Sequence, residues 1–326
     1  SGGPTDPCGG LCGPNEKCVD GVCKETAPCG GKCTTGQVCK EGVCITPACG
    51  GPCPAGEYCD KKADGGKGKC FKPTCKMPTT WGDGMQKISK FELMAEGKGC
   101  DLDGDGTEDN ATGIQLLLSS LNQFFTDELD SGERVTFMKT DGWKTDGSEF
   151  DISLLTGVID PSDQSCDKQK NVCKYKLHHW NYDVFVKGAG QCPVKAYWDP
   201  AKIDGDKLTA GGKKQTLQVT YQFESESFQA QILKAHMSGI VSDKTGWKST
   251  KSGKLCGVLT QKELFALIDS IPNSQMPSGI TKDQVKSLLP SFIKTDIDID
   301  GDNKPDAYSA AFQFETIPAT ITGVAK

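Results

Sequence analysis

Two stretches hold the densest set of chemically active side chains in this chain. In "CDLDGDGTEDNATG" (Cys100–Gly113), Asp101, Asp103, Asp105 and Asp109 follow the spacing D-x-D-x-D-G-x-x-D. In "DIDIDGDNKPD", Asp298, Asp300, Asp302 and Asp306 repeat that spacing, with Asn303 where the first stretch has Gly106. Carboxylates packed this closely repel one another. Alternate residues of a tight loop aim their side chains at one point, and glycine or asparagine allows the left-handed backbone such a loop needs. A hard cation that takes six to eight oxygen ligands offsets the repulsion. Calcium fits best, and magnesium, which retains water, comes second. Two loops of matched spacing predict two calcium sites; the alternative is a pair of solvated Asp/Gly turns.

These loops resemble the calcium loops of thrombospondin type 3 repeats, dockerins and EF-hands. An EF-hand places a bidentate glutamate at position 12. Here that position holds Thr112 and Ser309, so a regular EF-hand is not expected. Dockerin starts a helix after its loop, as "NATGIQLLLSSL" does here, but its two loops lie close in sequence and these two do not. The resemblance implies structural calcium that pins the chain before a helix or strand, so that folding depends on the metal. Asn110-Ala-Thr112 is also a glycosylation sequon, set against the first loop.

The chain has 326 residues, 18 of them cysteine, and a net charge of −6. Twelve of the cysteines form a regular N-terminal pattern. "CGGLCGPNEKCVDGVC" (Cys8–Cys23) and "CGGKCTTGQVCKEGVC" (Cys29–Cys44) share the spacing C-x3-C-x5-C-x4-C, and "CGGPCPAGEYCDKKADGGKGKC" (Cys49–Cys70) repeats it with a longer last loop. Each unit has almost nothing apolar to bury, so it needs staples. Disulfides and an extracellular or cell-surface location are expected; zinc knuckles are the alternative. The repeats resemble truncated EGF-like or knottin-type modules. The EGF order would pair Cys8 with Cys18 and Cys12 with Cys23, and likewise in the next two units. Such modules serve as spacers or partner-binding stalks. Among the six later cysteines, "CDKQKNVC" makes Cys166–Cys173 a natural local bridge, which leaves Cys75–Cys100 and Cys192–Cys256 as expected pairs.

The elements that would position the loops follow. "KPTCKMPTT" (Lys72–Thr80) reads as a linker between repeats over 1–75 and a β-rich domain over 76–326. "TLQVTYQFE" alternates Leu217, Val219, Tyr221 and Phe223 with polar residues, the period of a half-buried strand. "ESES" makes a turn and "FQAQI" continues the alternation, which predicts a hairpin. "RVTFM", "FDISLLTGVI", "NYDVFV", "VKAYW" and "AAFQFETI" are further strand candidates. Short strands at this spacing predict an antiparallel β-sandwich-like domain. Three helices are expected: Ile114–Leu129, a second capped by "TQKE" (Thr260–Glu263), and a third capped by "TKDQ" (Thr281–Gln284) and bent or ended near its C-terminus by Pro290. The fold class is thus mainly β, with small disulfide-rich repeats, about three helices and two calcium loops. The final segment, "AYSAAFQFETIPATITGVAK", supplies a strand to its own sheet or to a neighbour's.

Other chemistry is thin. The one arginine is Arg134, which argues against nucleic-acid binding. No apolar run reaches the length of a membrane span. The three histidines include His178 and His179, read on opposite faces of a strand, and His236. There is no H-E-x-x-H, G-x-S-x-G or phosphate loop. "GWK" occurs twice, at Trp143 and Trp247, read as loop tryptophans that pin turns to the core; the alternative is sugar stacking.

Taken together, the tandem "CGG-x-C…C-x-x-G-x-C" repeats and "DIDGDNKPDAYSAAFQFETIPATITG" are similar to cysteine-rich surface lipoproteins and secreted proteins of myxobacteria and related bacteria. That resemblance implies tethering through a cysteine just before Ser1. The expected function is non-enzymatic: a structural subunit of an extracellular fibre or coat, or an adhesin, partnered by its own copies or another surface protein. The second reading is a calcium-dependent carbohydrate- or protein-binding module with an aromatic platform near Trp143, Trp198 or Trp247. The third is a secreted hydrolase, for which a buried carboxylate pair away from the loops would speak.

Overall fold

The computed structural model describes residues 16–19, 22–25, 38–40, 43–46, 48–50, 53–60, 67–81, 84–113, 115–132, 135–168, 172–223, 226–242, 249–270 and 281–325. The chain divides into two compact units, 1–73 and 74–325.

In the first unit each repeat contributes one antiparallel hairpin. These are β1 (Glu16–Val19) with β2 (Val22–Glu25), β3 (Val38–Lys40) with β4 (Val43–Ile45), and β5 (Tyr58–Asp60) with β6 (Lys69–Phe71). The register places the third and fourth cysteines of every repeat opposite each other: Cys18 and Cys23, Cys39 and Cys44, Cys59 and Cys70. In the third repeat Cys49 bonds Cys59 and Cys53 bonds Cys70, the order that the EGF resemblance implied. Cys8, Cys12, Cys29 and Cys33 lie outside the described residues. With so little apolar surface, Cys53 and Tyr58 are the buried apolar side chains among the described residues of this last repeat.

In the second unit eleven strands form one sheet: β7 (Met85–Leu93), β8 (Val135–Asp141), β9 (Phe150–Ile159), β10 (Lys174–His178), β11 (Tyr197–Asp204), β12 (Lys207–Gly211), β13 (Thr216–Phe223), β14 (Glu226–Val241), β15 (Thr250–Thr260), β16 (Ala307–Pro318) and β17 (Thr320–Ala325). Along the order β11–β12–β14–β15–β16–β7–β8–β9 all neighbours are antiparallel, and β9 pairs back onto β11, so eight strands close a barrel. Two long strands make this possible. One edge of β9 pairs with β11 around Phe150–Ser153 and with β10 at Gly157–Ile159. One edge of β14 pairs with β12 at His236–Ile240 and with β13 at Glu226–Leu233. The sandwich expectation is therefore replaced by a single closed sheet: closure removes the free edges that two separate sheets would leave. β17 pairs in parallel with β10, so the final segment completes its own sheet.

The interior is filled by side chains. β11 alternates buried Trp198, Ala201 and Ile203 with exposed neighbours, and these pack against Met138, Ile152 and Phe314. Gly253 on β15 faces the Phe314 ring so closely that a Cβ there would lie 2.6 Å from ring atoms. Trp198 is fully buried in this core and offers no sugar platform. Trp143 is half-buried against the same core, the turn-pinning arrangement, and Trp247 lies outside the described residues.

Three helices are present among the described residues: α1 (Gln115–Ser131), α2 (Gln261–Ser270) and α3 (Lys282–Phe292). Ile114 lies outside them. α1 lies on β7, where the Asn122 amide bonds both the N–H and the carbonyl of Leu93, and Phe125 meets Phe91 and Phe312 edge-on. Thr281 and Gln284 form the complete reciprocal cap of α3, and Pro290 sits in its last turn. At α2 the Thr260 hydroxyl accepts from the Glu263 N–H, but the Glu263 carboxylate accepts from the Gln231 N–H on β14 and so ties the helix to the sheet. Neither α1 nor any other described helix is long and apolar enough to cross a membrane.

Several expectations are corrected. "NYDVFV" is not a strand: His179–Asn181 form a 3-10 turn and Tyr182 makes an isolated bridge to Val194. The Asn181 side chain is consumed by bonds to Thr156 and to the His178 carbonyl, which turns the chain away. His178 ends β10 and His179 begins that turn, so they do not alternate across one strand. "VKAYW" enters the sheet only at Tyr197. Cys75 bonds Cys192 and Cys100 bonds Cys256, in place of the pairs expected, while Cys166–Cys173 forms as expected. The stretch read as a linker is stitched into the second unit by Cys75, by the Thr74 N–H to Val184 and by a parallel bridge from Lys76 to Gln191.

Candidate metal centre

Both aspartate loops start from the same kind of anchor. Asp109 N–H donates to the Cys100 carbonyl at 2.9 Å, and Asp306 N–H donates to the Ile297 carbonyl at 3.0 Å. Each loop is thus closed across its first and last aspartates. Inside, the hydrogen bonds correspond one for one. Asp101 accepts from Gly104 and Gly106 N–H at 2.5 and 3.1 Å; Asp298 accepts from Gly301 and Asn303 N–H, both at 2.7 Å. Asp103 and Asp300 each accept from the N–H two residues on, and so do Asp105 and Asp302. Asp109 caps the Leu102 N–H and Asp306 caps the Ile299 N–H. The turns need positive φ at Gly106 (90°) and Asn303 (65°), the position where the sequence alternates the two permissive residues.

In the first loop carboxylate oxygens of Asp101, Asp103 and Asp109 lie within 4.8 Å of one another; in the second, those of Asp298, Asp300 and Asp302 do. Asp105 and Asp306 stand outside these triads, each occupied by a backbone cap. Three carboxylate oxygens at such spacing suit a hard cation, with carbonyls and water left to complete its shell. Burial pushes the Asp109 carboxyl above its ordinary range, and the charges of Asp103, Asp296 and Asp105 add to the shift. Asp298 is held below the ordinary range by the Gly301 N–H and its neighbours.

The loops share one foundation. Cys100, Leu102, Cys256, Val258, Ile297, Ala307 and Ala311 form a single apolar cluster beneath them, and the Cys100–Cys256 disulfide runs through it. Beyond the loops the two chain segments pair with each other. Asn110 Oδ1 accepts from Ala311 N–H, the Ser309 hydroxyl accepts from Ala111 N–H, and Thr112 N–H donates to the Ser309 carbonyl. Asp296 holds Ser309 from the other side through its backbone N–H and its hydroxyl. The sequence reading missed Asp296 and this pairing, although Thr112 and Ser309 occupy the same position in each loop. It also noted the sequon at Asn110. That amide is 2% exposed and its Nδ2 donates to the Met94 and Ala95 carbonyls, so it is closed to a glycan in the folded chain.

Among the described residues, protein cations bond the first loop more closely than the second. Lys213 Nζ donates to the Asp103 carbonyl at 3.2 Å, and Lys254 Nζ bonds the Gly99 carbonyl and Glu108. The Lys254 hydrogen bond, with that from Gly99 N–H, holds the Glu108 carboxyl low. Lys304 of the second loop is 84% exposed and reaches Asp302 only at 3.9 Å.

Among the described residues the buried carboxylate is Asp160, away from both loops. It accepts from Thr322, Lys176 and Ser162, which hold it far below the ordinary carboxylate range. It is a structural clasp of β17 to the end of β9, with no second buried carboxylate beside it among those residues. His236 on β14 is pushed down by burial. No protein-family model matches this chain, and no curated protein or solved structure matches it.

Proposed function

We propose that this chain is a secreted, calcium-stabilised, non-enzymatic surface protein, a structural subunit of an extracellular fibre or coat or an adhesin. Calcium occupies both aspartate loops, and the partner is a further copy or another surface protein. The observation that carries the reading is the correspondence of the two loops. Chain segments far apart in sequence adopt one hydrogen-bond scheme over one apolar cluster that a disulfide crosses. That arrangement supports a metal used to fix structure rather than to do chemistry: the side chains gathered in each loop are aspartates, with no histidine among them. A barrel filled by side chains and the two disulfides that staple the third repeat support the same reading, since both favour durability outside the cell.

Light scattering on the purified full chain, in calcium and then in chelator, tests it. Large particles in calcium that dissolve in chelator are the expected result. A monomer under both conditions would overturn the assembling-subunit reading and favour a monomeric binding module.

A further inference from the structure

A narrow crevice opens between β8, β9, the His179–Asn181 turn, the segment entering β11, and β13. We propose that it is a binding site for a carboxylate group. The proposal is independent of the aspartate loops, none of whose residues line it. The floor is apolar: Leu154, Ala196 and Val219 are buried there. The enclosed space is about 20 Å³, room for one water-sized group. Only the end of a ligand can enter, and its remainder stays outside.

The polar side chains around this space include one cation and no anion: Lys195, the Thr136 and Thr156 hydroxyls, the Asn181 and Gln218 amides and the Trp180 indole. Trp180 is one of the lining residues, and its Nε1 is buried with no hydrogen-bond partner among the described residues. Its ring is held in place by stacking on His178 at 3.7 Å and by an edge contact with His179 at 5.2 Å. Asn181 is already spent: Oδ1 accepts from the Thr156 N–H and hydroxyl, and Nδ2 donates to two carbonyls. The exposed Lys195 ammonium and Gln218 amide stand at the rim, and neither has a side-chain partner among the described residues. No aspartate or glutamate lines the crevice.

One cation, no anion and a buried N–H left without an acceptor select an acceptor-only, negatively charged group. A buried donor without a partner is costly, so supplying one oxygen to Trp180 Nε1 is favourable. A carboxylate does this with one oxygen and leaves the second on the rim, where Lys195 and Gln218 donate to it in charge-assisted bonds. A free monocarboxylate and an acidic sugar present the same group, and the test separates them.

The test follows the tryptophan indole N–H resonances of ¹⁵N-labelled full chain, with that of Trp180 identified by Trp180→Phe. Acetate, glucuronate, glucose and chloride are titrated at constant ionic strength. Acetate and glucuronate are expected to shift the Trp180 resonance saturably, while glucose and chloride leave it in place. Tighter binding of glucuronate than acetate assigns the saccharide source; equal binding assigns the free carboxylate. Lys195→Met, on an exposed side chain, is expected to weaken both by about tenfold, which is about 1.4 kcal/mol, with an unchanged melting temperature. Gln218→Leu provides a second variant with the same expected direction. Absence of saturation up to roughly 50 mM, well past the millimolar range of weak ligands, would mean that the crevice holds only water and would overturn the proposal. So would an equal response to glucose or chloride, or wild-type titration by both variants.

Discussion

Replacing Asp101 by asparagine separates charge from geometry in the first loop. The carboxylate accepts from two backbone N–H groups, and asparagine keeps one acceptor oxygen. The lost bond costs about 0.5–1.5 kcal/mol. The substitution also removes one of three like charges whose oxygens lie within 4.8 Å. Each such pair repels by about 1 kcal/mol in a water-like dielectric. In chelator the relief of two such pairs, about 2 kcal/mol, offsets the lost bond, and the melting temperature of Asp101→Asn should lie at or a few degrees above wild type. In calcium the balance changes. A site filled at 100 times its dissociation constant adds about 2.7 kcal/mol, and 10 mM calcium reaches that for a typical extracellular affinity of about 10⁻⁴ M. Losing one site should then lower the melting temperature by about 5–11 °C, at roughly 2–4 °C per kcal/mol for a unit of this size. Asp298→Asn should act in the same sense, because its hydrogen bonds match, and the double variant should melt alike with and without calcium. Calorimetry of wild type and the three variants in calcium and in chelator decides it. Coincident wild-type melts would refute the metal reading. An Asp101→Asn shift of equal size in both conditions would refute the claim that the charge serves a cation.

Three further outcomes follow from the fold. Replacing Cys100 and Cys256 together by alanine opens a bridge across 156 residues. By the chain-entropy model that costs about 5 kcal/mol, read as a lower urea midpoint; a loss under about 1 kcal/mol would contradict it. The Asp160 carboxyl is depressed in the folded state by the Thr322 hydroxyl, Lys176 and Ser162. Its contribution is therefore complete above the unfolded value of about 3.9 and fades as pH falls below it. Asp160→Asn should flatten the acid limb of the stability profile below about pH 4, and parallel profiles for the two proteins would contradict this. Gly253→Ala forces a methyl group against the buried Phe314 ring and should destabilise by about 1–3 kcal/mol, measured by thermal melting against an exposed glycine control with open space and no positive φ, Gly190→Ala.

The aspartate loops were legible because their spacing is local: alternate residues in a turn determine which side chains converge. The strand "FDISLLTGVI" matches β9 to the residue, since its ends are marked by a change in pattern as well as by turns. The sequence could not show that β9 and β14 each serve two partners along one edge, and that sharing is what closes a barrel where a sandwich was expected. Long-range pairing leaves no local periodicity. The same holds for the crossed bridges Cys75–Cys192 and Cys100–Cys256, against which nearest-neighbour pairing is the natural guess. "NYDVFV" has strand composition, yet the Asn181 amide spends itself on Thr156 and His178 and turns the chain. Strand propensity cannot register a side chain that competes for backbone partners. β7, with lysines at Lys87 and Lys90, was missed because Lys87 is buried against the Tyr175 ring, a burial its charge conceals.

The two crossed disulfides also set how far the second unit can be drawn out. From Cys75 the covalent route runs along the chain to Cys100 and across the bridge to Cys256. That route holds about 25 residues where the backbone holds about 180, or roughly 90 Å of fully extended chain in place of about 600 Å. Strands β8 to β14 all lie inside the bypassed segment. A pull along the chain can peel β7 and the elements after Cys256, but the covalent load never passes through those seven strands. Unfolding under tension would then appear as short steps with a hard stop. Reduction of the Cys100–Cys256 bridge alone would lengthen the route only to about 64 residues, because Cys75–Cys192 still bypasses the chain between them. The full length is released only when both bridges are reduced.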